Sequence, residues 1–138
     1  MRIVWLFNVL LSLFVFQGCV QNTGNRILYL VEELGIHIPV QLDSCFLIYI
    51  PGNGCRACIQ EAVYGIRECE DTLYVFGCNT DKDFFLQTGK KASLFSNLVL
   101  DKKNIANQVQ IGTTYPVVYL FTEGKYESSW PFSLKKRA

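Results

Sequence analysis

The chain is poor in histidine, in surplus charge and in long apolar runs. His37 is the only histidine among 138 residues. No partner motif surrounds it, so it reads as an exposed structural residue with no catalytic role. Charged residues make up 18% of the chain and the net charge is +1. A nucleic-acid-binding face needs concentrated basic charge, so nucleic acid is not an expected partner. The short basic tail Lys135-Lys136-Arg137 reads as a solvated, frayed end. The N-terminal apolar stretch Ile3 to Phe16 is interrupted by Asn8 and Ser12, and falls short of the ~20 residues that a spanning helix needs. There is no internal repeat, no low-complexity segment and no length for a second core of ordinary size. Half of the residues are hydrophobic, which places the chain among globular proteins.

What is present begins with a targeting pattern. Arg2 supplies a positive start, an apolar run follows, and Gln17-Gly18-Cys19 ends it. A Gly–Cys junction after an apolar run resembles a bacterial lipoprotein signal, in which the cysteine is lipidated and becomes the new N-terminus. The resemblance implies a signal peptide over 1–18, a lipid anchor on Cys19 that attaches the protein to a membrane, and a polar tether over 19–25. An ordinary signal peptide or a retained anchor is the alternative. In each case the compartment is extracytoplasmic, where disulfides persist. The domain proper is residues 26–138.

Ile27, Leu30, Val31 and Leu34 follow an i, i+3, i+4, i+7 pattern that predicts a helix ending at Gly35. A strand is the alternative, since 27–31 is largely apolar. Ile36, Ile38 and Val40 alternate with His37, Pro39 and Gln41, as in an irregular edge segment. Cys45 to Ile50 is continuously apolar, which fits a central strand covered on both faces. Leu73 to Cys78 is a second such run, one βαβ unit later, and is expected parallel to the first. Asn79-Thr80-Asp81 can cap a short helix through Leu86. Leu98 to Leu100 is a short third strand, and 105–111 is a weak helical turn or a loop. Tyr115-Pro116 leads into a strand over Val117 to Phe121. Glu123-Gly124-Lys125 is a hairpin turn, and Tyr126 to Trp130 returns antiparallel.

Between the first two strands lies the chemistry. Pro51 to Gly54 break the strand, and Cys55-Arg56-Ala57-Cys58 opens a segment of helical periodicity expected to run to Cys69. A CxxC at a strand-to-helix turn suits thiol–disulfide exchange. Cys55 sits where unpaired N–H groups and the helix dipole favour a thiolate. Arg56 adds a positive charge beside it, so the Cys55 pKa should fall below the free value of roughly 8.5. Cys58, nearly a turn further in, is the resolving thiol. A permanent Cys55–Cys58 disulfide in a binding domain is the competing reading. Cys55, Cys58, Cys69 and Cys78 have the count for a four-thiolate zinc site. A helix from 55 to 69, however, would hold its terminal cysteines about 20 Å apart at 1.5 Å per residue. No metal and no cofactor are expected. Cys45 and Cys69 fall at one end of the sheet and Cys78 at the other, each packing as a small hydrophobe.

Strand–CxxC–helix at 46–68, a parallel strand at 73–78 and Tyr115-Pro116 before a hairpin together resemble the thioredoxin-like fold family. The resemblance implies an α/β three-layer sandwich whose mixed sheet combines a parallel βαβ unit with a C-terminal antiparallel hairpin. It also implies a cis Tyr115–Pro116 bond facing the CxxC, with the Tyr115 backbone pairing with an extended substrate. Three positions depart from the family pattern. Gly54 stands where an aromatic residue usually precedes the first cysteine. Tyr49 stands near the place of a buried acid. Only Ser133 to Ala138 follow the hairpin, too few for the usual terminal helix, so one sheet face needs other cover. The expected function is an envelope-anchored thiol–disulfide oxidoreductase acting on a protein dithiol or disulfide. The alternative is a non-catalytic binding lipoprotein of this fold in a surface or transport assembly.

Overall fold

A computed structural model describes residues 23–78 and 80–133. The segment 1–18, Cys19 and the basic tail 135–137 lie outside the described residues. Strand β1 (Cys45–Ile50) occupies the middle of a five-stranded sheet. On one side it pairs in parallel with β2 (Thr72–Phe76), which in turn pairs in parallel with β3 (Leu98–Leu100). On the other side it pairs antiparallel with β4 (Val117–Thr122), which forms the terminal hairpin with β5 (Lys125–Pro131). The order β3-β2-β1-β4-β5 is that of a thioredoxin-like α/β sandwich with a mixed sheet.

The apolar continuity of β1 has a simple cause. Successive side chains of a strand point to opposite faces. Cys45, Leu47 and Tyr49 enter one core, while Ile48 and Ile50 enter the other. A solvated face would have required alternation, and here neither face is solvated. The first core is covered by the helical residues 23–33, called α1, and by the short helix α4 (Ile105–Gln108). The second is covered by α2 (Arg56–Tyr64) and α3 (Asp81–Thr88). Phe84 of α3 meets Phe76 of β2 edge-on, with ring centroids 5.1 Å apart, a favoured aromatic arrangement.

Element α1 is a helix, which decides between the two readings of its apolar stripe. Ile27, Leu30 and Val31 are buried against the sheet. They cover the face that a terminal helix would otherwise cover. The helix includes residues 23–25, which composition alone assigns to a tether. Residues 36–40 form no strand; Ile38 alone of the alternating set is buried, and His37 is exposed. α3 starts as expected, the Thr80 hydroxyl accepting a hydrogen bond from the Asp83 N–H at 3.1 Å. Gly89, at φ 68°, closes it in the left-handed conformation.

Helix α2 stops at Tyr64, short of the expected Cys69. Gly65 caps it, and a contact remote in sequence then holds the chain out of helical geometry. The buried Asn97 amide donates to the carbonyls of Arg67 at 3.0 Å and Thr72 at 2.9 Å. The Glu68 carboxylate accepts from the Ser96 N–H at 2.7 Å. These bonds tie residues 67–72 to the strand-leading segment before β3 and fix the path from α2 into β2.

Because Leu30 of α1 is fully buried in the core of this face, Leu30→Ala should destabilise the domain by about 2–5 kcal/mol, as buried leucine truncations do. Chemical denaturation with an unchanged slope would measure it. A loss below ~1 kcal/mol would show that α1 is not part of the cooperative core.

Candidate active site

The turn Pro51–Gly54 carries the chain from the carboxyl end of β1 to α2, and the backbone around it leaves no spare room. A Cβ on Gly52 would lie 1.8 Å from the Gly77 carbonyl oxygen. Gly54 has φ +129°, and a Cβ there would lie 2.3 Å from the Thr114 oxygen and 2.7 Å from its Cα. Both the conformation and the space at Gly54 therefore demand glycine. This accounts for the absent aromatic residue: an aromatic side chain would collide with the strand-leading loop 113–116.

The same close approach positions Cys55. Its backbone N–H donates to the Thr114 carbonyl at 2.7 Å. Its carbonyl accepts from the Ile59 N–H at 2.9 Å, the first turn of α2. Its side chain is the N-cap, the sulfur accepting from the Cys58 N–H at 3.3 Å. Cys55 and Cys58 form a disulfide, with their Cα atoms 5.3 Å apart. Cys55 is exposed and Cys58 half-buried, which leaves the first sulfur as the one an incoming thiolate reaches. After reduction, the same Cys58 N–H is aimed at the Cys55 sulfur, and a thiolate accepts it more strongly than a thiol. Arg56 opens α2 and is exposed. From the far side, the Gln87 amide of α3 donates to the Gly52 carbonyl at 3.1 Å and ties the turn to its neighbour.

Loop 113–116 does lie against the CxxC, but its details differ from the expectation. Among the described residues there is no cis peptide bond, so Tyr115–Pro116 is trans. The segment meets Cys55 through the Thr114 carbonyl, one residue before Tyr115. The Tyr115 carbonyl is itself engaged, accepting a hydrogen bond from the Thr113 hydroxyl. Pro116 is fully buried, and its carbonyl accepts from the Phe132 N–H at 2.9 Å. Thr114, Gly77 and Gln87 all support the site and went unread in the sequence. A composition of Thr, Gly and Gln in loops carries no signal of which backbone they will meet.

Cys45, Cys69 and Cys78 are thiols. Burial pushes the thiol pKa up for Cys45, with a nearby Asp71 adding to it, and again chiefly for Cys78. Both should stay protonated at neutral pH. Cys69 precedes β2 and Cys78 follows it, so strand geometry separates them by roughly 20 Å at ~3.3 Å per residue. The separation of the cysteines is thus set by β2, since α2 does not reach Cys69. Among the described residues, no group of three or more His, Cys, Asp or Glu is placed to hold a metal ion. Tyr49 is buried at the end of β1, its pKa pushed up to about 12 by burial and by Asp101. It stays a neutral phenol at physiological pH and is no proton acceptor there.

Gly54→Ala should lower stability by about 1–3 kcal/mol from backbone strain alone, with further loss as Thr114 is displaced. Hydrogen exchange at the Cys55 amide should accelerate in the same variant. A stable variant with a protected Cys55 amide would mean that the approach to Thr114 is not required.

Comparison of the chain with protein-family models, with curated proteins and with solved structures gives no match.

Proposed function

We propose that the protein is a thiol–disulfide oxidoreductase that works through Cys55 and Cys58. The observation that carries this reading is the exposed Cys55 sulfur at the N-cap of α2, disulfide-bonded to the more buried Cys58. In the oxidising direction, a substrate thiolate attacks the Cys55 sulfur. The Cys55–Cys58 bond breaks, a substrate–Cys55 disulfide forms, and Cys58 leaves as a thiolate. A second substrate thiolate then attacks the first substrate sulfur. Cys55 departs as a thiolate, held by the Cys58 N–H and the helix N-terminus. The substrate is left with a disulfide and the protein with a dithiol, two electrons having passed to the protein. Reduction of a substrate is the same path reversed. In this reading Arg56 helps to favour the Cys55 thiolate, and the Tyr115 backbone N–H and Pro116 border the path of the substrate chain. We place the protein in the bacterial cell envelope, anchored through a lipid on Cys19, with a polypeptide dithiol or disulfide as partner.

The trans Tyr115–Pro116 bond favours a second reading, a binding domain with a permanent disulfide. The Tyr115 carbonyl, occupied by Thr113, is then simply part of a rigid loop. Reduction potential and thiol reactivity separate the two.

After mild reduction, Cys55 should alkylate faster than any other thiol, with a midpoint below the free-cysteine value of roughly 8.5. Arg56→Ala should slow this at pH 6. Mass spectrometry of partially alkylated protein reads the order. Cys58 reacting first would reverse the roles, and a Cys55 no faster than Cys69 would favour the binding domain.

Metabolic labelling with a palmitate analogue should mark the protein in its native host, and Cys19→Ser should abolish the mark. A mature chain beginning elsewhere and carrying no label would point to an ordinary signal peptide.

A further inference from the structure

Beside the CxxC turn, a polar cleft of about 340 Å³ opens at the carboxyl ends of the parallel strands, the region where open α/β sheets bind ligands. Its volume falls within the range of small-ligand sites. Its charge is one-sided. The lining residues include Asp83 and Asp101 and no Lys, Arg or His. Asp101 is almost fully buried at 1% exposure, and each of its oxygens accepts one backbone N–H, from Ile105 at 2.8 Å and from Ala106 at 2.9 Å. Each oxygen keeps a further lone pair. The side-chain amides of Asn53 and Asn107 and the Thr113 hydroxyl add neutral polar groups.

The Tyr49 hydroxyl is the second, independent sign of a ligand. Tyr49 is 2% exposed, yet its hydroxyl has no hydrogen-bond partner among the described residues. It lies at the cleft wall beside Gly77, where a Cβ would come within 2.8 Å of the phenolic oxygen. The ring is packed away while the hydroxyl opens only into the cleft, so its hydrogen-bonding capacity is directed at whatever occupies that space. Burial and then the neighbouring Asp101 raise its pKa, so it remains a phenol that offers a lone pair to a donor.

A ligand matching these groups is positively charged and rich in N–H donors. An anion would meet two carboxyl groups and no base. The cleft shares Gly52 and Asn53 with the turn that delivers Cys55, and Thr113 with the loop whose next residue holds the Cys55 amide. We propose that the cleft binds a small alkylammonium or guanidinium group, presented by a lysine or arginine of the polypeptide whose cysteine engages Cys55. The placement on a substrate chain rests on the oxidoreductase reading; the cation-binding chemistry does not.

The test has two arms, both on the full chain. In the first, amide resonances are followed during titration with n-butylammonium or methylguanidinium, with n-butanol and butyrate as matched controls. The cations should shift Gly52, Gly77 and Thr113, and the controls should not. Tyr49→Phe deletes a hydroxyl that bonds no described residue, so it should fold as the parent yet weaken cation binding roughly tenfold. Asp83→Asn should weaken it as well. Absence of cation-specific shifts, or equal shifts with butyrate, overturns the proposal. In the second arm, cysteine peptides carrying lysine or norleucine near the cysteine are compared in thiol–disulfide exchange. The lysine peptide should be favoured through KM by about tenfold, a charged hydrogen bond's worth, and Tyr49→Phe should erase the preference. Cation binding without any peptide preference would assign the cleft to a free amine and overturn its assignment to a substrate side chain. Cation binding with no exchange on any peptide would sink the oxidoreductase reading and leave the cation site standing.

Discussion

Two backbone approaches at Gly52 and Gly54 govern the architecture around the disulfide. One presses the turn after β1 against the end of β2, and the other presses it against the loop before β4. Main chain meets main chain on both sides, so the turn has no side-chain cushion through which to shift. A CxxC at a helix start gains its chemistry from position: the first sulfur must sit at the N-terminal N–H groups and also face outward. Here that position is enforced by neighbours on both flanks and by the Gln87 amide behind. Protein interiors transmit displacement because they are close-packed, so changes at Gly77 or Thr114 would be felt at the sulfur.

Much of the sheet was legible because each strand is a short apolar run closed by Gly, Pro or a polar cluster. β1 and β3 match their expected bounds, and β4 and β5 differ only at their ends. The cysteine pair was legible for a similar reason, since its partners lie within one turn of chain. Residues whose roles depend on distant partners were not. After α2 stops at Gly65, the chain leading into β2 is held by Asn97, 25–30 residues away, whose amide donates to the Arg67 and Thr72 carbonyls. The family likeness implies a cis bond before Pro116, and the bond is trans, a difference that local sequence does not announce. Asp101 reads as part of a polar turn, because nothing in Asp101-Lys102-Lys103-Asn104 announces that α4 will fold its first N–H groups onto that carboxylate. The cleft is assembled from five stretches of chain and leaves no local pattern in any of them.

Departures from the thioredoxin-like pattern fit together physically. The sheet face bearing Leu47 and Phe121 is covered by α1, with Ile105 and Ala106 of α4 beside it. Where a buried acid would stand, Tyr49 fills the position with an aromatic ring, and the nearest buried carboxylate is placed instead at the end of β3 on Asp101. The ring at Tyr49 therefore offers no carboxylate beside the disulfide turn, and the phenol, its pKa pushed up to about 12 by burial and by Asp101, does not take its place as a base.

The early start of α1 has a consequence for reach. Helical structure is present by residue 23, only four peptide units after Cys19. Fully extended, four units span no more than ~14 Å. A lipid on Cys19 would therefore hold this domain like a ship on a short mooring, within about its own radius of the bilayer surface. In the proposed envelope role, a partner cysteine would then be met within about that distance of the headgroups.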